Sequence, residues 1–188
     1  MRDTFELAGP IETERLVLRP FEEDDLEAVL AMQTSPEVAR YLPWGPRTEA
    51  EAREAFAKKI AARAIPEEGD PISLAGVLKT NGELVADVVL WLVSRSHQQG
   101  EIGYIVPPAH QRKGYATEAT RPLLRMAFED LGLHRIVGRV EARHAASGRV
   151  LEKLGMRREA HLVENEWVKG EWQSELVYAI LDREWRDG

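Results

Sequence analysis

The sequence predicts a single mixed α/β domain, and three observations carry that prediction. Its 188 residues suffice for one domain with its own core and are short for two. Segments of helical period and segments of strand period alternate in the order β-α-α-β-β-β-α-β-α-β-β. At residues 98–131 a strand runs through a glycine-containing loop into a long helix, and the rest of the chain is organised around that unit. No internal repeat or low-complexity segment interrupts the order, so residues 1–188 are read as one domain.

Residues 1–12 read as a loosely held lead-in. Arg15-Leu16-Val17-Leu18-Arg19 alternates with period two and forms the first strand, which Pro20 ends. Asp24 then caps a helix running to about Gln33, with Glu27 as its capping-box partner and Leu26, Val29 and Leu30 on one face. Ser35-Pro36 breaks that helix, and Tyr41-Leu42-Pro43-Trp44-Gly45-Pro46 makes a stiff aromatic loop. Thr48 and Glu51 form a second capping box, for a helix over 49–64 whose inner face includes Ala52, Phe56 and Ile60. Pro66 to Pro71 is a polar turn. Strands over 72–79 and 83–93 flank Asn81-Gly82, a strong two-residue hairpin signal.

The strand 99–106 follows, then a break at Pro107-Pro108-Ala109-His110, the loop 111–116 and a helix to about Leu131. Ala116, Ala119, Leu123, Ala127, Phe128 and Leu131 recur at helical spacing, and Gly132 is a natural stop. Pro122 inside this helix removes one backbone hydrogen bond and predicts a kink. Arg135–Ala142 is a strand, and Ala145–Leu154 a short helix closed by Gly155. Strands over 157–163 and 175–181 are joined through a turn region at Lys169-Gly170.

Composition narrows the function. A content of 44 % hydrophobic and 30 % charged residues is that of a soluble globular protein. A net charge of −7 argues against general affinity for nucleic acid. The longest apolar stretch, Leu84 to Val93, is interrupted by Asp87 and falls well short of the ~20 residues of a membrane span. The N-terminus is charged, with no apolar stretch of a secretory signal. There is no cysteine, which excludes disulfides, thiolate metal sites and an acyl-cysteine intermediate. The five histidines show no metal-ligand spacing, so no metal is expected. A cytoplasmic location fits these features.

The unit at 98–131 makes an anion site. The first turn of a helix carries N–H groups without partners and the positive end of the macrodipole. Gly114 lets the loop backbone approach a ligand, and Arg112 and Lys113 add two positive charges. A polyphosphate across the end of the strand is the inferred ligand. No G-x-x-x-x-G-K-[ST] and no G-x-G-x-x-G after a strand occurs. What is present is Gln-x-x-Gly-x-Ala, from Gln111 to Ala116.

That pattern resembles the pyrophosphate loop of the GNAT superfamily of acetyl-CoA-dependent N-acetyltransferases. Its neighbours strengthen the likeness: Gly100-Glu101-Ile102-Gly103-Tyr104 before it, Gly114-Tyr115-Ala116-Thr117-Glu118-Ala119 through it, and Leu151-Glu152-Lys153-Leu154-Gly155-Met156 later. Together with Glu14-Arg15-Leu16-Val17-Leu18-Arg19-Pro20 and the Trp-rich C-terminus, they look like the RimJ/RimL-type branch, which acetylates N-terminal amines of ribosomal proteins. The likeness runs from about Thr13 to Trp185.

The resemblance implies a central, mostly antiparallel mixed sheet of about seven strands with four helices on its faces. It implies acetyl-CoA as cosubstrate, held by Gln111, Arg112, Lys113, Gly114, Tyr115, Ala116 and Thr117 at the diphosphate and by the backbone of Tyr104, Ile105 and Val106 along the pantetheine arm. Glu101 matches a strand-borne glutamate that serves as general base, and Ser147 a serine that protonates the departing thiolate. Ser147 shares a helix face with Leu151 and Leu154, where a hydroxyl needs a partner. Structural readings of both residues stay open: a carboxylate paired with an arginine, and a helix-start serine bonding nearby backbone. His144 stands where the family has an asparagine on the pantetheine, and Leu151 where many members have a tyrosine. Both are counted among the cofactor contacts. Trp44 and Glu164 are candidates for the acceptor pocket. The acceptor implied is an amine, first a ribosomal or other protein N-terminus. A small amine (an amino acid, polyamine or antibiotic) and a non-catalytic acyl-CoA-binding module are the alternatives. The family also allows a homodimer, which no residue pattern shows.

Overall fold

The computed structural model describes residues 5–7, 9–65 and 67–187. In chain order its elements are β1 (Phe5–Glu6), β2 (Ile11–Glu12), β3 (Leu16–Pro20), α1 (Leu26–Gln33), α2 (Pro36–Ala39), α3 (Glu49–Ala61), β4 (Ala64–Ile65), β5 (Pro71–Leu78), β6 (Leu84–Ser94) and β7 (Gln99–Ile105). After them come α4 (Tyr115–Arg125), β8 (Arg135–Glu141), α5 (Ala145–Lys153), β9 (Arg157–Val168), β10 (Glu171–Leu181) and α6 (Asp182–Asp187).

Eight strands form one sheet in the order β2-β3-β5-β6-β7-β8-β10-β9, and β1 pairs separately with β4. Every neighbouring pair in the large sheet is antiparallel except β7 and β8. A parallel pair needs a crossover, and α4 supplies it. Apolar residues fill both faces of the sheet. On one, Leu123, Leu124 and Ala127 from the α4 segment and Leu151 from α5 pack on Leu90, Leu92, Ile102 and Ile136. On the other, Val29 of α1 and Phe56 of α3 pack with Phe21, Ala75 and Val77. Strands β5 and β6 are covered on both faces, which is why their sequences run almost continuously apolar.

Several elements match the sequence reading closely. Asn81-Gly82 turns the β5–β6 hairpin, with Gly82 at φ 74°. Thr48 accepts from the Glu51 amide while the Glu51 carboxylate takes the Thr48 amide, the expected box at the start of α3. Gly132 and Gly155 close their helices at φ 68° and 86°.

Others are corrected. The first helix is not boxed by Asp24 and Glu27. Asp25 is held by Arg19 at 2.7 and 2.9 Å and by the Glu22 amide at 2.9 Å, so the box forms at Glu22/Asp25 and a 3₁₀ turn precedes α1. Ser35-Pro36 breaks α1 but also starts α2, since proline is favoured in a first helical turn and the Ser35 hydroxyl accepts from the Val38 amide. Helix α3 stops at Ala61 because Ala64 and Ile65 pair with β1. That pairing, and that of β2 with β3, hold parts of the lead-in; residues 1–4 and 8 lie outside the described residues. Of the polar turn, Pro66 lies outside them too, while the Glu67 amide donates to Asp70. Beyond Pro122, α4 continues into a π turn over Met126–Asp130, closed by the Leu131 amide on the Met126 carbonyl. Strands β9 and β10 reach much further than expected, meeting at a tight turn where Lys169 and Gly170 both have positive φ. The mixed, mostly antiparallel sheet is as expected, with eight strands where about seven were expected, and six α-helices occur among the described residues where four were expected on its faces. Among those residues, no helix is long and apolar enough to cross a membrane.

Candidate active site

The site begins where β7 and β8 part. Their parallel register runs from Gln99↔Arg135 to Ile102↔Gly138 and ends there. Beyond it β7 stays paired with β6 up to Asp87↔Ile105, and β8 stays paired with β10 up to Glu175↔Glu141. The backbone of Tyr104, Ile105 and Val106 thus borders a gap in the sheet, and the Gln111 side-chain amide donates to the Val106 carbonyl at 3.1 Å. Extended backbone along such a gap can pair with amide groups of a ligand.

The gap leads to the loop 107–114. His110 Nε2 lies 3.0 Å from Glu83, tying the loop's first turn to the β5–β6 hairpin. Arg112 and Gly114 both sit in the left-handed region, at φ 61° and 86°. Gly114 is the N-cap of α4, and no side chain caps it. The helical ladder starts with the Glu118 amide on the Gly114 carbonyl, so the amides just before it point out of the helix end. Tyr115, Ala116 and Thr117 form that first turn and are half-buried, while Gln111, Arg112 and Lys113 are exposed.

Sequence reasoning missed what holds this turn. Arg15 donates to the Lys113 carbonyl at 2.9 Å, to the Glu118 carboxylate at 2.7 Å, and its guanidinium lies 4.6 Å from the centre of the Tyr115 ring. Glu118 also accepts from the Thr13 hydroxyl at 2.6 Å and the Arg15 amide at 2.7 Å. Burial works to raise the Glu118 pKa, but these donors outweigh it and hold the carboxyl below its ordinary value. The partners are about 100 residues apart in sequence, and Arg15 is legible there only as part of the first strand and its motif.

Glu101 lies on β7 just below the gap, opposite Trp91 of β6 and Val137 of β8. Arg139 of β8 bridges two carboxylates, Glu101 at 3.2 Å and Glu175 of β10 at 2.8 Å. Burial pushes the Glu101 carboxyl above its ordinary range, Arg139 pulls it partly back, and Glu175 adds to the rise. The arginine pairing is present, and the group is a half-buried carboxylate whose proton affinity is raised. Trp91 covers the same face, since a Cβ on Gly103 would lie 3.0 Å from its ring.

On the other face of β7, the Tyr104 hydroxyl lies 2.9 Å from the Ser147 hydroxyl and 2.8 Å from the Ser147 carbonyl. Ser147 is buried on α5, and Tyr104 answers its need for a partner. Burial raises the Tyr104 pKa far above its ordinary value, so this phenol stays protonated. The sequence pointed to Tyr104 for its backbone, not its hydroxyl. Leu151, expected among the cofactor contacts, is 1 % exposed and packs where a Cβ on Gly138 would meet it at 2.9 Å. Its side chain belongs to the core.

His144 is the N-cap residue of α5, and its ring stacks on Tyr41 at 4.3 Å between centroids, 13° from parallel. Burial lowers its pKa, against the opposing pull of Glu141, which keeps the imidazole neutral near pH 7. Trp44 is half-buried with the Arg47 guanidinium 4.7 Å from its ring centre, and Gln33 anchors that arginine. Glu164 was expected beside a loop; it sits instead in β9, exposed and at φ 48°, with its amide donating to the Ser174 hydroxyl at 3.0 Å. The reason is the longer β9–β10 pairing. Among the described residues, no three His, Asp or Glu side chains are gathered for a metal.

The chain matches the acetyltransferase (GNAT) domain family over residues 15–157. It is similar to the uncharacterized N-acetyltransferase YnaD of Bacillus subtilis, 34 % identical over 93 % of this chain and 98 % of that protein. Among solved structures it is similar to a GNAT-family acetyltransferase from Bacillus anthracis, with a TM-score of 0.83 and 33 % identity over 93 % of this chain and 99 % of that one. It also shares its fold with the Vibrio cholerae spermidine N-acetyltransferase solved with CoA and spermine, with a TM-score of 0.78 and 24 % identity over the same shares of the two chains. The eight-stranded fold and these likenesses agree: the chain belongs to the GNAT family of N-acetyltransferases.

Proposed function

We propose that the protein moves an acetyl group from acetyl-CoA to the α-amine of a protein or peptide N-terminus, by direct attack within a ternary complex, as in the RimJ/RimL-type branch. One observation carries the reading: β7 leaves β8 after Ile102 and delivers an open strand edge straight into the uncapped first turn of α4. In this reading the diphosphate lies on the amides of Gly114 to Thr117, with Gln111, Arg112 and Lys113 around it. The pantetheine arm lies along Tyr104, Ile105 and Val106, and His144 borders its inner end.

The chemistry needs a neutral amine, a stabilised oxyanion and a protonated leaving group. The amine nitrogen attacks the thioester carbon, and its proton passes to Glu101 directly or through a water. The C–S bond then breaks, and the thiolate takes a proton from the Ser147 hydroxyl, which Tyr104 orients and which regains a proton from solvent as Glu101 releases the one it took. A β7 amide beside the gap polarises the carbonyl oxygen. An α-amine has a pKa of about 7.7–8 against ~10.4 for lysine, so a weakly basic carboxylate suffices to deprotonate it near neutral pH. A cytoplasmic protein substrate, ribosomal or other, fits this chemistry.

A second reading has its own observation. Glu101, Glu141 and Glu175 lie on neighbouring strands with Glu141 directly opposite Glu175, and two arginines, Arg139 and Arg143, offset them only in part. A small amine bearing several positive charges would suit that floor, and the Vibrio cholerae neighbour is a spermidine enzyme. Purified protein with acetyl-CoA separates the two. Free thiol released with N-terminal peptides rather than spermidine supports the first reading, and the reverse supports the second. No release with either sinks both.

A further inference from the structure

Three segments distant in sequence meet beside the gap between β7 and β8. They are residues 39–42 after α2, the turn from β8 into α5, and the tip of the β9–β10 hairpin. Lys169, at φ 52° in that tip, points its ammonium at three carbonyls, those of Ala39, Arg40 and Leu42, each 2.9 Å away. An ammonium has three donors, and here all three are used. The carbonyls of Ala39 and Arg40 lie at the C-terminal end of α2, where the dipole is negative, and that of Leu42 just beyond it; the Ala39 carbonyl also accepts from the Leu42 amide at 3.1 Å. Tyr41 lies between two of the residues so held, and its ring stacks on His144. From the other side Arg143 joins Glu141 at 2.8 Å and Glu171 of the hairpin at 2.6 Å, which ties the same tip to the β8–α5 turn. His144 is in turn linked to Ser147, whose amide donates to the His144 carbonyl at 3.0 Å.

We propose that Lys169 is a positioning residue for the amine acceptor: it clamps the 39–42 segment to the hairpin so that Tyr41, seated on His144, forms a fixed wall of the acceptor pocket. This rests on the acetyltransferase reading above and on that side of the gap being where the amine enters. The clamp lies away from the loop 107–114 and the first turn of α4, which hold the diphosphate, and meets the cofactor only at His144 beside the inner end of the pantetheine, so it bears chiefly on the acceptor. A four-residue helix holds its place poorly alone. Without the ammonium each of the three carbonyls loses one donor, Ala39 keeping the Leu42 amide at 3.1 Å, and the wall is free to move; misplacement by an ångström is enough to cost a reaction about tenfold or more.

The test compares Lys169→Met, which keeps the length of the side chain without its charge, with Lys169→Arg, which keeps donors. Steady-state kinetics would use spermidine and a peptide with a free N-terminus as acceptors. CoA binding would be followed by calorimetry, and the His144 ring by NMR titration. Lys169→Met is expected to raise the acceptor KM about tenfold, with CoA affinity within about twofold of the parent. The His144 pKa should rise towards its ordinary value as Tyr41 uncovers it, and Lys169→Arg should recover most of both effects. An acceptor KM that stays within twofold, or one that worsens no more than CoA affinity does, overturns the proposal. If the parent enzyme uses neither acceptor, the acceptor reading is what fails. The clamp is then judged on the His144 titration, and an unchanged His144 pKa in Lys169→Met refutes it.

Discussion

The hydroxyls of Tyr104 and Ser147 lie 2.9 Å apart across the interface between β7 and α5, and the phenol also reaches the Ser147 carbonyl. One side chain thus fixes both the start of α5 and the rotamer of the serine proposed to protonate the thiolate. If the two act as one relay, their losses will not add. Ser147→Ala should lower kcat by about 10- to 100-fold and Tyr104→Phe by about tenfold, while the double variant falls no further than Ser147→Ala alone. Losses that multiply in the double variant would mean two independent roles.

In the proposed mechanism Glu101 gives the reaction a pH dependence. Its raised pKa places the acid limb of kcat/KM above the range of an ordinary glutamate, with activity appearing as the carboxyl loses its proton. Glu101→Gln should abolish that limb, leaving the one set by the amine's own pKa of about 7.7–8, and lower kcat/KM by about 100-fold. Arg139 favours the charged form, so Arg139→Met should move the limb to higher pH. A limb that moves down, or stays put, assigns it to another group.

The turn before α4 depends on Glu118, whose folded-state pKa is lowered. A depressed carboxyl contributes stability that is present above its unfolded value, ~4.3, and is lost as pH falls through the folded value. Glu118→Gln should therefore cost about 1–2 kcal/mol at neutral pH, allowing for the exposure of Arg15, and much less at pH 3. Denaturant unfolding at the two pH values measures it. An equal cost at both would show that charge plays no part. CoA affinity should fall in the same variant, because the Lys113 carbonyl is held by the same arginine.

Leu151 distinguishes core from ligand wall. Its burial over Gly138 predicts a loss of about 2–5 kcal/mol for Leu151→Ala, with the acetyl-CoA KM unchanged at a temperature where the variant is folded. A stable variant with a raised KM would return Leu151 to the cofactor contacts.

Local chemistry was legible in the sequence, and long-range pairing was not. Asn81-Gly82 and the Thr48/Glu51 box announce themselves because the residues that make them are neighbours. Strand β9 was legible only as far as Val163, because it is an edge strand whose far part, from Glu164 to Trp167, is exposed; its full length comes from pairing with β10. The glycine loop and Glu101 could be read from motif and position. Arg15 on Glu118, Tyr104 on Ser147 and Lys169 on α2 could not, since each joins residues 43 to 130 positions apart. Leu151 was counted among the cofactor contacts because many members of the family have a tyrosine at that position, but here its side chain is buried over Gly138.

The central claim is that the first turn of α4 grips the diphosphate of coenzyme A and sets the direction of its thiol. A crystal structure of the protein with CoA tests it most directly. The account predicts phosphate oxygens within hydrogen-bonding distance of amides between Gly114 and Thr117, with the pantetheine passing between β7 and β8 towards Glu101 and Ser147. CoA seated elsewhere, with the gap closed and that turn bare, would contradict it.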